Sequence, residues 1–201
     1  MRIVLYGGSF NPPHLGHLQA ARAAAEALQP DLFLVVPDRV PPHKELAENS
    51  PSPEARMEMC KIAFRSLPSA EISNVELKRI GKSYTADTVA DMRKRFPLDE
   101  LVLVIGSDML LSFRQWYTYR YILSECTLAV AEREDGEADE LEQMADLLRR
   151  EDGAKIVHLI YKPYPASSTE IREELASGRC PEGLDPEVYR YIRENRFYLA
   201  G

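Results

Sequence analysis

The chain has 201 residues, 45% apolar and 28% charged. Those proportions exclude disorder, collagen and coiled coil as overall descriptions. Its 25 basic and 32 acidic residues sum to −7, which argues against a general binder of nucleic acid, whose basic stripe is missing.

At roughly 150 residues per domain, the length predicts one domain over 1–201. Cys60, Cys126 and Cys180 are far apart, odd in number and form no C-x-x-C pair, a usage that suits a reducing compartment. The amino-terminal MRIVLYGG holds too short an apolar run for a signal peptide. No run approaches the ~18 apolar residues of a membrane span. The expected location is the cytoplasm, with no membrane partner; homo-oligomerisation stays open.

In chain order, 2–6 (RIVLY) reads as a strand, 14–28 as an Ala-rich helix and 32–36 (LFLVV) as a second strand. Pro37, Pro41, Pro42, Pro51 and Pro53 mark 37–53 as a loop, because proline supplies no backbone donor and restricts its predecessor. Ser52 and Pro53 then open a helix to about Ser66, as N-cap and first residue. Residues 70–77 are a weaker strand candidate, and 85–95 a helix stopped by Pro97. The runs 101–105 (LVLVI), 127–131 (TLAVA) and 156–160 (IVHLI) suit strands buried on both faces. Between the last two, 138–148 carries a helical apolar stripe. Ser167 and Glu170 form an S-x-x-E capping box opening a helix that stops near Gly178. Asp185 and Pro186 open the last one. This alternation predicts an α/β fold: a doubly wound, mostly parallel, Rossmann-like sheet with helices on both faces, and a small helical part at 166–201. Ligands of such sheets sit beyond the carboxyl ends of the strands, here the loops after 6, 36, 105 and 131.

The first of those loops is GGSFNPPHLGH, 7–17. Gly7 and Gly8 permit close backbone approach or positive φ. His14 and His17 fall one above the other on the first helical turn, at a helix start whose N–H groups favour phosphate. The string is neither G-x-x-x-x-G-K-[ST] nor G-x-G-x-x-G, and without H-E-x-x-H a zinc reading of the histidines is weak. The second constellation is ASSTEIR, 166–172, where Ser168 and Thr169 offer hydroxyls and Arg172 a planar cation. Two phosphate-friendly helix starts in one α/β chain suggest a nucleoside-triphosphate site.

GGSFNPPHLGH resembles the G-x-F-[ND]-P-x-H-x-G-H signature of the nucleotidyltransferase superfamily, and SSTEIR resembles its second signature. PPHK (41–44), SYTADT (83–88) and GSDMLLSFRQW (106–116) are similar to bacterial nicotinate-nucleotide adenylyltransferases. The resemblance covers nearly the whole chain; AEREDG (131–136) is its least typical part. It implies transfer of AMP from ATP to the 5′-phosphate of nicotinate mononucleotide, with Mg²⁺ carried on the ATP phosphates and no protein-held metal. It implies His14 and His17 at the reacting phosphates, and Ser168, Thr169 and Arg172 at the β and γ phosphates. It further implies backbone approach at Gly7, Gly8 and Phe10, and Gly106 and Asp108 at the adenosine ribose. Trp116 would stack on the pyridine ring. Thr85, at a helix start, would bind the nicotinate carboxylate, with Tyr84 and Tyr117 nearby; Lys44 would sit at the acceptor side, and Arg133 would contact a phosphate or the loop. Two alternatives remain: an adenylyltransferase for nicotinamide mononucleotide or another small molecule, and a nucleotide-binding sensor without turnover. His43 lies in the Pro-rich loop, and His158 reads as structural. The excess negative charge has an address: 132–152 holds ten acidic and three basic residues, which fits the solvated face of one peripheral helix.

Overall fold

The structure, a computed structural model, describes residues 1–42, 45–47, 49–132 and 138–199. Six strands form one sheet: β1 (Arg2–Gly8), β2 (Leu32–Pro37), β3 (Ala70–Ile72), β4 (Glu100–Gly106), β5 (Cys126–Glu132) and β6 (Ile156–Ile160). The helices are α1 (Leu15–Leu28), α2 (Pro53–Ala63), α3 (Thr85–Arg95), α4 (Ser107–Leu111), α5 (Tyr119–Glu125), α6 (Ala138–Asp152), α7 (Ser168–Ala176) and α8 (Pro186–Asn195). The strand order is β3-β2-β1-β4-β5-β6, and every neighbouring pair is parallel.

The continuous apolar strands follow from a core on each face. In β1, Val4 and Tyr6 enter one cluster with Phe33, Val35, Val102 and Val104, covered by α1, α2, α7 and α8. Ile3 and Leu5 enter the other, with Leu34, Leu101, Leu103 and Ile105, covered by α3, α4, α5 and α6. Each fully buried side chain of this size contributes about 1.5–3 kcal/mol, so both faces demand apolar residues and the period-two alternation disappears. α7 and α8 share the core of α1 and α2 through Ile171, Leu175, Val188 and Ile192.

The caps read from sequence are in place. Ser52 Oγ accepts from Ala55 N–H at 3.2 Å. Ser167 and Glu170 exchange both capping-box bonds. Asp185 accepts from Glu187 N–H at 2.8 Å. Three expectations change. The third strand is only Ala70–Ile72 rather than 70–77: after Ser73 N–H bonds Val35 O at 2.8 Å, the chain turns, with Lys78 N–H on Asn74 O. α4, a 3-10 turn at Phe113–Gln115 and α5 fill a stretch where no element was expected. α6 extends past 148 to Asp152.

The acidic helix presents Asp139, Glu140, Glu142, Asp146 and Glu151 to solvent. Asp152 is the exception: its carboxylate is covered and takes Arg120 at 3.0 Å and Tyr119 at 3.2 Å. Among the described residues, no helix is long and apolar enough to cross a membrane.

Candidate active site

β1 and β4 are adjacent, but their following connections leave in opposite directions, to β2 and to β5. A crevice opens at such a switch point beyond the carboxyl ends. Here it is a cleft of about 820 Å³, lined from both sides by Gly7–Asn11, His14, His17, Gly106, Asp108 and the start of α7.

β1 runs through Gly7 and Gly8, so the loop begins at Ser9 rather than at 7. Neither glycine has positive φ; the left-handed residue is Phe10, at 45°. Its ring is buried edge-on between Tyr6, Phe64 and His17, which fastens the loop to the core and leaves its backbone toward the cleft. α1 then starts with His14 as N-cap. His14 Nδ1 accepts from Gly16 N–H at 3.1 Å, and His17 Nδ1 accepts from His14 N–H at 3.2 Å. A backbone N–H can only donate, so in each neutral ring the proton sits on Nε2. The rings lie 3.8 Å apart and both line the cleft. Gly16 suits this packing: a Cβ there would lie 3.0 Å from the His14 ring, which would have to shift by a few tenths of an ångström.

The second constellation closes on the first. Arg172 Nη1 donates to Asn11 O at 2.8 Å, and Ser168 Oγ donates to Pro12 O at 3.1 Å. Arg172 Nη2 reaches Thr169 Oγ1 at 3.1 Å. Tyr198, beyond α8, donates to Asn11 Oδ1 at 2.5 Å. The α1 and α7 starts therefore face one volume. On the other side, Gly106 caps α4 and Asp108 folds back over it; a Cβ at 106 would meet Asp108 Oδ1 at 2.6 Å.

The start of α3 supplies a third set of N–H groups. Tyr84 is its N-cap and places no side-chain acceptor over the first turn, and Thr85 is the first helical residue. Tyr84 and Tyr117 pack ring to ring at 4.8 Å, and Trp116 packs on Phe113 at 4.9 Å. Tyr84, Thr85, Trp116 and Tyr117 line the same cleft. Every expected site residue within the described residues is brought to this cleft; Lys44, Arg133 and His43 lie outside them. His158 is away from it, between Glu132 and Arg149 on the β6 edge.

The cytidylyltransferase-like family model matches residues 5–174. A Geobacter metallireducens protein named probable nicotinate-nucleotide adenylyltransferase is 34% identical, covering 98% of each chain. One of the same name from Gloeobacter violaceus is 37% identical, covering 98% of this chain and 96% of its own. The chain belongs to the cytidylyltransferase-like family, among its nicotinate-nucleotide adenylyltransferases. The fold agrees. The solved Plasmodium falciparum nicotinic acid mononucleotide adenylyltransferase complexed with NaAD has a TM-score of 0.77 at 20% identity, covering 98% of this chain and 97% of that one.

Two features of this adenylyltransferase cleft escaped the sequence reading. One is Arg56 with Asp38. Arg56 is 0% exposed and pairs with Asp38 Oδ1 at 3.0 Å. Its signal was present: Arg56, Met59, Cys60 and Ala63 form the buried stripe of α2, and a cation inside such a stripe requires partners. The other is Glu76, buried beneath the α3 start. Thr88 Oγ1 donates to it at 2.6 Å, and Arg79 lies at 3.6 Å and also holds Asp91 at 2.7 Å. Burial pushes the Glu76 carboxyl above its ordinary 4.5, against Thr88, Ser83 and Arg79, which pull it down. The folded protein thus keeps this proton to higher pH than the unfolded chain does. Its contribution to stability is present below pH 4.5 and is lost as pH rises through the folded value. Glu76→Gln is expected to flatten that fall in a denaturant series between about pH 4 and 7; superimposable profiles for the two proteins would refute the assignment.

Proposed function

We propose that this adenylyltransferase joins the AMP part of ATP to the 5′-phosphate of nicotinate mononucleotide by direct in-line attack, in one nucleotidyltransferase unit spanning 1–201. A phosphate oxygen of the mononucleotide attacks the α-phosphorus, the bond to the β-phosphate oxygen breaks, and its electron pair leaves on pyrophosphate. The other product is deamido-NAD. The acceptor is already anionic near neutral pH, so positioning and charge stabilisation supply the catalysis rather than a strong base.

The observation that carries this reading is the meeting of three helix starts, those of α1, α3 and α7, on one cleft. Each offers N–H groups to an anion. His14 and His17 act at the reacting phosphates through Nε2–H. Ser168, Thr169 and Arg172 take the β and γ phosphates. Gly7, Gly8 and the Phe10 backbone lie along the nucleotides, and Gly106 and Asp108 hold the adenosine ribose. Trp116 offers a flat face to the pyridine ring. The α3 start, with the Thr85 hydroxyl and the rings of Tyr84 and Tyr117, takes the nicotinate carboxylate; Lys44 is assigned to the acceptor side and Arg133 to a phosphate or loop contact.

The family's ATP chemistry calls for a divalent ion, which we assign as Mg²⁺ carried on the ATP phosphates. Among the described residues, no cluster of three or more His, Cys, Asp and Glu could hold an ion. Asp38 and Asp108 are among the residues lining the cleft, and carboxylates are the hard donor type that Mg²⁺ accepts. The ion would neutralise charge on the departing pyrophosphate.

Pyrophosphate release with ATP and Mg²⁺ tests the reading, with nicotinate and nicotinamide mononucleotides offered separately. The acid is expected to exceed the amide in kcat/KM by at least ~10-fold, as loss of a charge-assisted bond implies. Equal values would remove the carboxylate site. Binding of ATP without release from either acceptor would favour a sensor.

A further inference from the structure

We propose that Arg56 is a positioning residue for adenylyl transfer, its guanidinium setting the separation between the donor loop after β1 and the acceptor loop after β2. This rests on the function proposed above. The β1–β2 ladder ends at Gly8 and Pro37, followed by Asp38 N–H on Gly8 O at 3.0 Å. Beyond that point neither loop has a strand to pair with. Arg56 replaces it: Nη1 donates to Ser9 O at 2.5 Å and to Asp38 Oδ1 at 3.0 Å. Nη2 donates to Asp38 O at 2.8 Å and to Arg39 O at 3.1 Å. One rigid planar fork therefore spans the two loops and fixes their distance.

The constraint continues outward. Arg39 Nη1 donates to Leu77 O at 3.2 Å and Arg79 O at 2.9 Å, and Arg39 N–H donates to Ser83 Oγ at 3.0 Å. Ser83 immediately precedes Tyr84, the cap of α3. The loop leading to the donor histidines, the acceptor side and the carboxylate-binding helix are thus joined through Arg56 and, beyond it, Arg39.

Burying a guanidinium is costly, and apolar replacement of a buried ion pair is often neutral or stabilising. A core position serving packing alone is better filled by an apolar side chain. Geometric fixing accounts for the charge. Each nucleotide is held by its own loop, whereas in-line attack depends on the distance between them. Misalignment should lower the transfer rate and spare both affinities.

Single-turnover pyrophosphate release at saturating ATP, Mg²⁺ and nicotinate mononucleotide tests this, beside equilibrium titrations of ATP alone and mononucleotide alone. Wild-type turnover tests the proposed function by itself; the Arg56 claim is read from the ratio of variant to wild type. Arg56→Lys, which keeps the charge and loses the fork, is expected to lower the rate about 10- to 100-fold, with both dissociation constants within about threefold of wild type. Arg56→Ala is assayed with and without millimolar guanidinium, which is expected to restore part of the rate at unchanged affinities. Undiminished turnover in Arg56→Lys, a parallel rise in either dissociation constant, or no rescue of Arg56→Ala would overturn the proposal.

Discussion

Replacing His17 by alanine will lower kcat by at least ~100-fold, the effect of removing one positioned transition-state donor. His17 is the third residue of α1, stacked 3.8 Å from His14 and set edge-on against the buried Phe10 ring at 5.1 Å. Its Nδ1 is committed to His14 N–H at 3.2 Å, so Nε2–H is the edge that can serve a phosphate oxygen. The same substitution removes one of the two capping-box bonds of α1, a hydrogen bond contributing about 0.5–1.5 kcal/mol. The helix nevertheless remains anchored by Leu18, Ala21, Ala24 and Leu28, all buried. Steady-state kinetics beside a thermal melt separate the two effects. His17→Asn sharpens the comparison: its carbonyl can accept the His14 N–H, but it lacks a ring nitrogen at the far edge. It should recover stability and leave kcat low. Near-normal turnover in folded His17→Ala would remove this residue from the chemistry.

Arg172→Ala is expected to lower kcat/KM for ATP by about 100-fold. Loss of charge-assisted hydrogen bonds accounts for about 1.5–3 kcal/mol, equivalent to roughly 10- to 150-fold. The substitution also releases Asn11 O, which Arg172 holds at 2.8 Å, loosening the loop that presents His14. Arg172→Lys should recover only part of the loss, since an ammonium cannot bridge Asn11 O and Thr169 Oγ1 as the fork does. The KM for mononucleotide should change little. A loss confined to the mononucleotide, with ATP unaffected, would place Arg172 on the wrong substrate.

Much of this protein was legible locally. The strand runs could be read because a sheet buried on both faces needs nearly continuous apolar sequence. Helix starts were legible at Ser52, Ser167 and Asp185 because a cap is decided by one side chain and the N–H groups two or three residues on. Other features were not local. α4 and α5 are too short to show a periodic stripe, and Trp116 lies between them, just after the 3-10 turn. Arg56 falls on the buried stripe of α2, but the groups it binds lie 17 to 47 positions away and only the fold brings them to it.

The sequence by itself determined the chemistry available: two histidines at one helix start, two hydroxyls and an arginine at another, and a tryptophan downstream of a Gly-Ser-Asp sequence. Local hydrogen-bonding capacity and burial period are properties of residue order. Only the tertiary structure decided that these groups share a cleft. Arg172 meets Asn11 across 161 positions because β1 lies between β2 and β4, opening a crevice at their carboxyl ends, while α7 packs on the same face as α1. Such pairings depend on which strands become neighbours. That choice is made by the whole core at once, and no short segment encodes it.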